Sequence, residues 1–200
     1  MTAPFQRLHK LIPGFVMACC LTFSSFFFAE EAQADNPRVL LSTSYGDIEI
    51  ELYESMAPQT VANFLSLVDA EFYNGLVFHR VIANFMIQGG GYKPDLTYVP
   101  GSGTVPNESS NGVRNRRGTI AMARLSDPDS ADTQFFINVK DNTHLDADGD
   151  LAGYTVFGKI VDGMAVVDQI ELVNTHLKNG MAAVPEEPVL INSITRKAAP

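Results

Sequence analysis

From Val39 to Thr195 the chain consists of short apolar or alternating runs separated by residues that favour turns. In one run Ile48, Ile50 and Leu52 alternate with acidic residues, which is the two-residue period of a half-buried strand. The stretch 39–52 resembles a hairpin, and further strands are predicted at 77–82, 85–88, 119–123, 135–139, 156–160 and 189–195. Many short strands with Gly, Pro and Asp between them predict an antiparallel barrel or sandwich.

Two segments have the spacing of helices instead. Pro58 suits the first helical position, and apolar residues then recur every three or four positions, at Val61, Phe64, Leu65, Val68 and Phe72. The pair Asn74-Gly75 predicts the end of this helix. A second, shorter helix is predicted over Met164 to Leu172. Two helices beside the strands would cover the open ends of a barrel or sandwich.

Residues 1–34 differ in composition from the rest of the chain. Arg7 and Lys10 precede an uncharged apolar run, which is followed by Ala32-Gln33-Ala34. A basic start, an apolar stretch and an Ala-x-Ala end are typical of a secretory signal peptide, here predicted to be cleaved after Ala34. Residues 35–200 would then form the mature domain. Two alternatives remain, an uncleaved membrane anchor over 11–29 and a lipoprotein modified at Cys19.

The composition argues against several classes of site. Cys19 and Cys20 are the only cysteines, so the predicted mature chain has no thiol for a disulfide, a thiolate zinc site or a nucleophile. The formal net charge of −9 argues against a nucleic-acid partner, because phosphate binding needs a basic face. The one local basic cluster, Arg114, Arg116 and Arg117, is interpreted as a solvated loop.

The acidic stretch "DADGD" at 146–150 imitates the start of a calcium-binding loop. The sixth position of that loop is Leu151, where a glycine is needed, and the twelfth is Phe157, where the bidentate glutamate should be. The stretch is therefore interpreted as an acidic turn, and no metal site is predicted.

Three polar residues, Arg80, Gln88 and Gln134, lie within otherwise apolar strands. Burying an unpaired charge is costly, so Arg80 must face either water or a ligand that needs a cation. Apolar residues accompany these three along the chain: Phe85, Met86, Phe136 and Leu145. Apolar side chains with a few directed polar groups describe a ligand pocket better than a core.

His79, next to Arg80, invites an acid–base role. Strict alternation along a strand would send it to the face opposite Arg80. We therefore predict that it is a packed, structural histidine.

Four segments in order carry a family resemblance: "FHRVIANFMIQGG" at 78–90, "NRRGTIAMAR" at 115–124, "TQFFINV" at 133–139 and "YTVFGKIVDGM" at 154–164. They resemble the signature segments of the cyclophilins, the cyclosporin-binding type of peptidyl-prolyl cis-trans isomerase, and the likeness covers 39–194. The region "ARLSDPDSADTQFFINVKD" and the N-terminal segment most resemble bacterial periplasmic members. The resemblance implies a mainly β fold, an eight-stranded antiparallel closed β-barrel capped by two α-helices.

The resemblance also implies a site. Arg80 and Gln88 match the catalytic positions, and the matching substrate-binding positions are Phe85, Met86, Ala123, Gln134, Phe136, His144, Leu145 and Tyr154. Three residues depart from the family pattern: His144 stands where drug-sensitive members have a tryptophan, Tyr154 where they have a histidine, and Arg124 where asparagine is usual. Because an indole offers a large apolar contact and an N–H donor, its absence predicts weak cyclosporin binding.

The implied enzyme needs no cofactor, and Arg80 would donate a hydrogen bond to the twisted prolyl amide in an apolar pocket. Its expected partners are proline-containing unfolded or extended polypeptides, so it would assist the folding of exported proteins in the periplasm, as a monomer. A proline-peptide binding module that acts as a chaperone is the main alternative. A calcium-regulated surface protein is the third hypothesis, which the incomplete loop at 146–150 disfavours.

Overall fold

The computed structural model of the chain describes Met1 and residues 36–198. The predicted signal peptide beyond Met1 and its cleavage site lie outside the described residues. Among the residues that are described, no helix is both long and apolar enough to cross a membrane.

Ten strands, two α-helices and three short 3-10 segments make up the described chain. The strands are β1 Arg38–Thr43, β2 Gly46–Leu52, β3 Val77–Ile82, β4 Met86–Gly89, β5 Thr119–Met122, β6 Phe135–Asn138, β7 Val156–Asp162, β8 Thr175–Lys178, β9 Met181–Pro185 and β10 Val189–Lys197. The helices are α1 Pro58–Asp69 and α2 Met164–Ile170, and the 3-10 segments are Ser109–Asn111, Pro128–Ser130 and Thr143–Leu145.

Eight of the strands close into an antiparallel barrel in the order β1-β10-β3-β4-β6-β5-β7-β2, with β2 pairing back onto β1. The predicted eight-stranded barrel with two helices is thereby confirmed. The remaining strands, β8 and β9, form a separate two-stranded sheet that the sequence analysis did not predict. Strand β8 is mostly exposed, and the two buried residues of β9, Val184 and Pro185, are adjacent, so neither strand has the apolar alternation that marks a half-buried strand.

Helix α1 places its apolar face on the barrel interior. Phe64 is fully buried there, with its ring centroid 5.1 Å from that of Phe157 and 5.8 Å from that of Phe135. Helix α2 contributes Val167 and Ile170 to the same core. The aromatic contacts join one helix to two strands of the barrel and account for the helix amphipathicity seen in the sequence.

The predicted end of α1 at Asn74-Gly75 is wrong, because the helix ends at Asp69. The chain leaves the helix through a Schellman turn, in which the N–H of Phe72 donates to the carbonyl of Leu67 and the N–H of Glu71 donates to that of Val68, both at 3.0 Å. Glu71 takes the left-handed position with a φ of 54°. Glycine usually occupies that position, so the sequence held no signal for it. Helix α2 also ends earlier than predicted, at Ile170.

Strand β3 carries a β-bulge at His79. Phe78 pairs with Gly89 and Arg80 pairs with Gln88, which leaves His79 as the extra residue of the strand. Phe78 and Val81, three residues apart, both lie in the barrel core. Strict alternation is therefore broken here, so it does not fix the orientation of His79.

His79 is nevertheless packed, as predicted. Its side chain is 3 % exposed, and its ring centroid lies 4.5 Å from that of Tyr92. Burial lowers the pKa of the imidazole to about 4, and the charge of Arg80 acts in the same direction. The histidine is thus neutral in the folded protein near neutral pH.

This pKa predicts a loss of stability in weak acid. The unfolded chain binds a proton at His79 near pH 6.5 and the folded chain only near pH 4, so stability is complete above 6.5 and falls as the pH drops towards 4. Between pH 7 and pH 5, above the range of the carboxylates, we expect the free energy of unfolding to fall by about 2 kcal/mol. Urea unfolding at the two pH values measures it.

His79→Gln should remove most of this pH dependence, and the same substitution at the exposed His144 should retain it. An unchanged pH dependence in His79→Gln would show that another group is responsible.

Candidate active site

The register of the barrel brings five residues from five strands into one row. Arg80 of β3 pairs with Gln88 of β4, Gln88 pairs with Phe136 of β6, Phe136 pairs with Ala121 of β5, and Ala121 pairs with Val156 of β7. The last three belong to a small apolar cluster separate from the main core. The row therefore runs from a guanidinium, through a carboxamide, to an apolar patch.

A hollow of about 150 Å³ lies over this row. Its walls are formed by Arg80, Phe85, Met86, Gln88, Ala123, Arg124, Phe136, Leu145 and Tyr154. Eight of the ten residues that the sequence analysis named are in that set. Met86 and Phe136 are almost fully buried, and the Tyr154 ring meets the Phe136 ring edge-on at 5.6 Å. Cavities of this size hold one benzene-sized ring.

Three polar side chains at one edge of the hollow form a chain of two hydrogen bonds. Arg80 Nη1 donates to Gln88 Oε1 at 3.4 Å, and Gln88 Nε2 donates to Gln134 Oε1 at 3.0 Å. Gln134 fits beside Gly91, where an added Cβ would lie only 2.5 Å from Gln134 Cγ. The bare backbone of Gly91 thus makes the observed position of Gln134 possible.

The other two predicted residues lie at the edge of the hollow. Gln134 does not line the hollow, but it accepts a hydrogen bond from Gln88, which does. His144 is exposed and stacks on Phe85, with ring centroids 5.7 Å apart and 25° between the planes, so it extends the rim without lining the hollow. The structure thus brings all ten residues into one region.

Three fully buried asparagines support this region, and the sequence analysis missed them. Asn142 Nδ2 donates to the carbonyl of Phe85 and to Asn138 Oδ1, both at 2.7 Å, and Asn138 Nδ2 donates to Asn115 Oδ1 at 3.2 Å. The network ties the loop before β4 to the 3-10 segment that carries His144 and Leu145. Asn138 and Asn142 are only four residues apart, but Asn115 and Phe85 are distant from them in the chain, so no local pattern marks the whole network.

A second hollow of about 340 Å³ adjoins the first and was not predicted. Its walls are Gln88, Tyr92, Tyr98, Ala123, Arg124, Leu125, Ser130, Asp132 and Gln134, of which Gln88, Ala123 and Arg124 also line the first hollow. The Tyr98 hydroxyl donates to Asp132 Oδ2 at 2.8 Å, and this hydrogen bond raises the pKa of Tyr98 to about 12. Most of these residues come from irregular loops, so no periodic pattern in the sequence could predict the second hollow.

The acidic stretch at 146–150 makes a structural contact through Asp146. Asp146 Oδ1 accepts hydrogen bonds from the backbone N–H and the side-chain amide of Asn115, at 2.7 and 3.1 Å. Within the described ranges, no group of three or more His, Cys, Asp or Glu side chains is arranged to hold a metal ion.

Comparisons with known proteins agree with this geometry. Residues 38–196 match the family described as cyclophilin type peptidyl-prolyl cis-trans isomerase/CLD. A peptidyl-prolyl cis-trans isomerase of Acinetobacter baylyi is 51 % identical over 163 residues, covering 82 % of this chain and 87 % of that protein. Peptidyl-prolyl cis-trans isomerase A of Dickeya dadantii is 46 % identical over 184 residues, covering 92 % of this chain and 95 % of that protein.

Among solved structures, a cyclophilin type peptidyl-prolyl cis-trans isomerase of Cryptosporidium parvum superposes with a TM-score of 0.71 at 28 % identity, covering 82 % of this chain and 99 % of that one. A second structure of that protein, in the presence of the dipeptide Ala-Pro, gives a TM-score of 0.70 at 29 % identity and covers 81 % of this chain and 99 % of that one. By its matched segments, its barrel and these relatives, the chain belongs to the cyclophilin-type peptidyl-prolyl cis-trans isomerases.

Proposed function

We propose that this isomerase binds the proline ring of an X–Pro segment in the 150 Å³ hollow and that Arg80 donates a hydrogen bond to the prolyl nitrogen as the bond twists. The observation that carries the proposal is the position of a guanidinium at the edge of a small apolar hollow with a second donor, Gln88, beside it. The structural relative solved in the presence of Ala-Pro supports a proline-containing ligand.

The chemistry of the peptide bond explains why a donor helps. Resonance between nitrogen and carbonyl gives rotation a barrier of about 18–20 kcal/mol. At the twisted transition state the nitrogen lone pair is no longer shared, so it becomes a hydrogen-bond acceptor. A donor aimed at that nitrogen binds the twisted form better than either planar form, and only such differential binding accelerates the step.

Arg80 suits this role because an arginine guanidinium carries a positive charge and five N–H donors. Gln88 restrains it from the neighbouring strand, and Gln134 restrains Gln88 in turn. Met86 and Phe136 supply an apolar floor, where a hydrogen bond is less weakened by water. We propose that Phe85, Leu145 and Tyr154 enclose the ring from the sides and that Ala123 contacts the substrate backbone.

This arrangement favours catalysis over simple binding of proline peptides. A binding module gains nothing from a group that prefers the twisted peptide, because its ligand is planar in both stable isomers. In a simple binding module, Arg80 and Gln88 would add the desolvation cost of polar groups at the edge of an apolar surface without any gain.

We also propose that the protein works on exported polypeptides in the periplasm. The support is the sequence of residues 1–34, whose basic start, apolar run and Ala-x-Ala end are those of a signal peptide. Unfolded proteins that have just crossed a membrane contain X–Pro bonds in both isomers, and their slow interconversion limits folding.

Arg80→Ala should reduce kcat/KM for a short X–Pro peptide by a factor of about 10²–10³, equivalent to about 3–4 kcal/mol of transition-state binding. A protease-coupled assay measures it. Arg116→Ala is the matched control, since Arg116 is exposed and its side chain makes no hydrogen bond or ion pair within the part of the chain described. If Arg80→Ala keeps wild-type turnover, the role given to Arg80 is wrong.

Gly91→Ala should affect the same site indirectly, through Gln134. The new methyl group would overlap Gln134, which must rotate away and release Gln88. Losing one hydrogen bond of about 1 kcal/mol predicts a fall in kcat/KM of roughly 5–10-fold. Gly103→Ala is the control, because its added Cβ would have no neighbour within 4 Å. Equal activity of the two variants would contradict the support given to Gln134.

The mature N-terminus tests the proposed location. Intact-mass analysis of the protein recovered from a bacterial host that exports it should show a chain that begins at residue 35. A mass that includes residues 1–34 would identify a membrane anchor, and a diacylglycerol mass at Cys19 would identify a lipoprotein; either result overturns the proposed cleavage.

A further inference from the structure

Arg124, two residues after the end of β5, is the one charged residue shared by the walls of the two hollows, within the described chain. Its three side-chain nitrogens all donate to backbone carbonyls. Nε donates to Gly153 at 3.1 Å, Nη2 donates to Ala152 at 2.8 Å, and Nη1 donates to Leu125 at 2.9 Å. The planar guanidinium therefore joins two loops that are separate in the sequence.

The same guanidinium lies over an aromatic ring of the first hollow. Its central carbon is 4.7 Å from the ring centroid of Tyr154, and the Tyr154 ring in turn meets Phe136. A guanidinium over an aromatic face is attracted by the negative charge of the ring faces. Tyr154 is thus in contact with Arg124 as well as with Phe136 of the floor.

The loop that Arg124 grips is itself packed against the first hollow. At Gly153 an added Cβ would lie 2.6 Å or less from backbone atoms of Leu145, Asp146 and Ala147, so the two backbones touch there. Tyr154 N–H also donates to the carbonyl of Leu145 at 2.9 Å. On the other side, Leu125 belongs to the wall of the second hollow. Arg124 therefore connects a wall of one hollow to a wall of the other.

We propose that Arg124 is a positioning residue that sets the spacing of the two hollows, so that an extended substrate can occupy both at once. This inference rests on the proposed function, because it assigns substrate to the first hollow. Arg124 does not take part in the hydrogen bonds that join Arg80, Gln88 and Gln134. Its contribution is to the binding of longer peptides, not to the rotation step.

The test compares a short and a long substrate. KM and kcat are measured by NMR exchange spectroscopy on an Ala-Pro dipeptide amide and on an eight-residue peptide with one central proline. For Arg124→Ala we expect KM of the long peptide to rise by roughly 5–10-fold, with kcat within twofold, and KM of the dipeptide, which loses only the support of Tyr154, to rise by a clearly smaller factor. Arg124→Lys should lie between, because an ammonium cannot reach three carbonyls in one plane.

Arg114→Ala is the matched control, as Arg114 is exposed and its side chain has no hydrogen bond to the described residues. A fall in kcat with KM unchanged, or equal effects on the two peptides, would overturn the proposal. The activity of the wild type and of Arg80→Ala tests the proposed function separately. The role of Arg124 and the role of Arg80 can therefore fail independently.

A second measurement covers the case in which Arg124→Ala does not fold. The proton resonances of the Tyr154 ring, assigned with Tyr154→Phe, should shift in Arg124→Lys and stay in place in Arg114→Ala, because only Arg124 lies over that ring. Unshifted Tyr154 resonances in a folded Arg124→Lys, with wild-type KM for the long peptide, would equally overturn the proposal.

Discussion

The site depends on one extra residue in strand β3. Without the bulge at His79, side chains would alternate regularly, and Phe78 and Val81 could not both face the barrel core. With the bulge, the core keeps both residues and Arg80 still pairs with Gln88 on the outer surface. The bulged residue is itself buried, so the irregularity is held in place by packing.

From this point the barrel register extends the site as far as β5 without further irregularity. Gln88, Phe136 and Ala121 follow Arg80 across successive strands, so a polar edge passes into an apolar floor within three pairings. The loops that complete the walls are fixed by polar contacts instead, the buried asparagines on one side and Arg124 on the other. The strands thus position Arg80, Gln88 and the apolar floor, and the loop contacts shape the space around them.

The sequence predicted those parts of the fold that have a local cause. The barrel strands follow from apolar periodicity and the start of α1 from Pro58, and Arg80, Gln88 and Gln134 stood out as polar residues in apolar runs. The end of α1 was misjudged because Glu71 takes a backbone conformation that usually signals glycine. The asparagine network, the second hollow and the β8–β9 pair depend on long-range or exposed contacts, which leave no periodic trace in the chain.

The closed barrel has a consequence for a protein whose proposed partners are unfolded chains. An open sheet presents unpaired N–H and C=O groups to which such chains can add as new strands, and this is a route to aggregation. In the barrel each of the eight strands has a neighbour on both sides. The free borders that remain among the described strands belong to β8 and β9, which are four and five residues long. The barrel therefore offers an unfolded chain few unpaired backbone groups to which it could add as a strand.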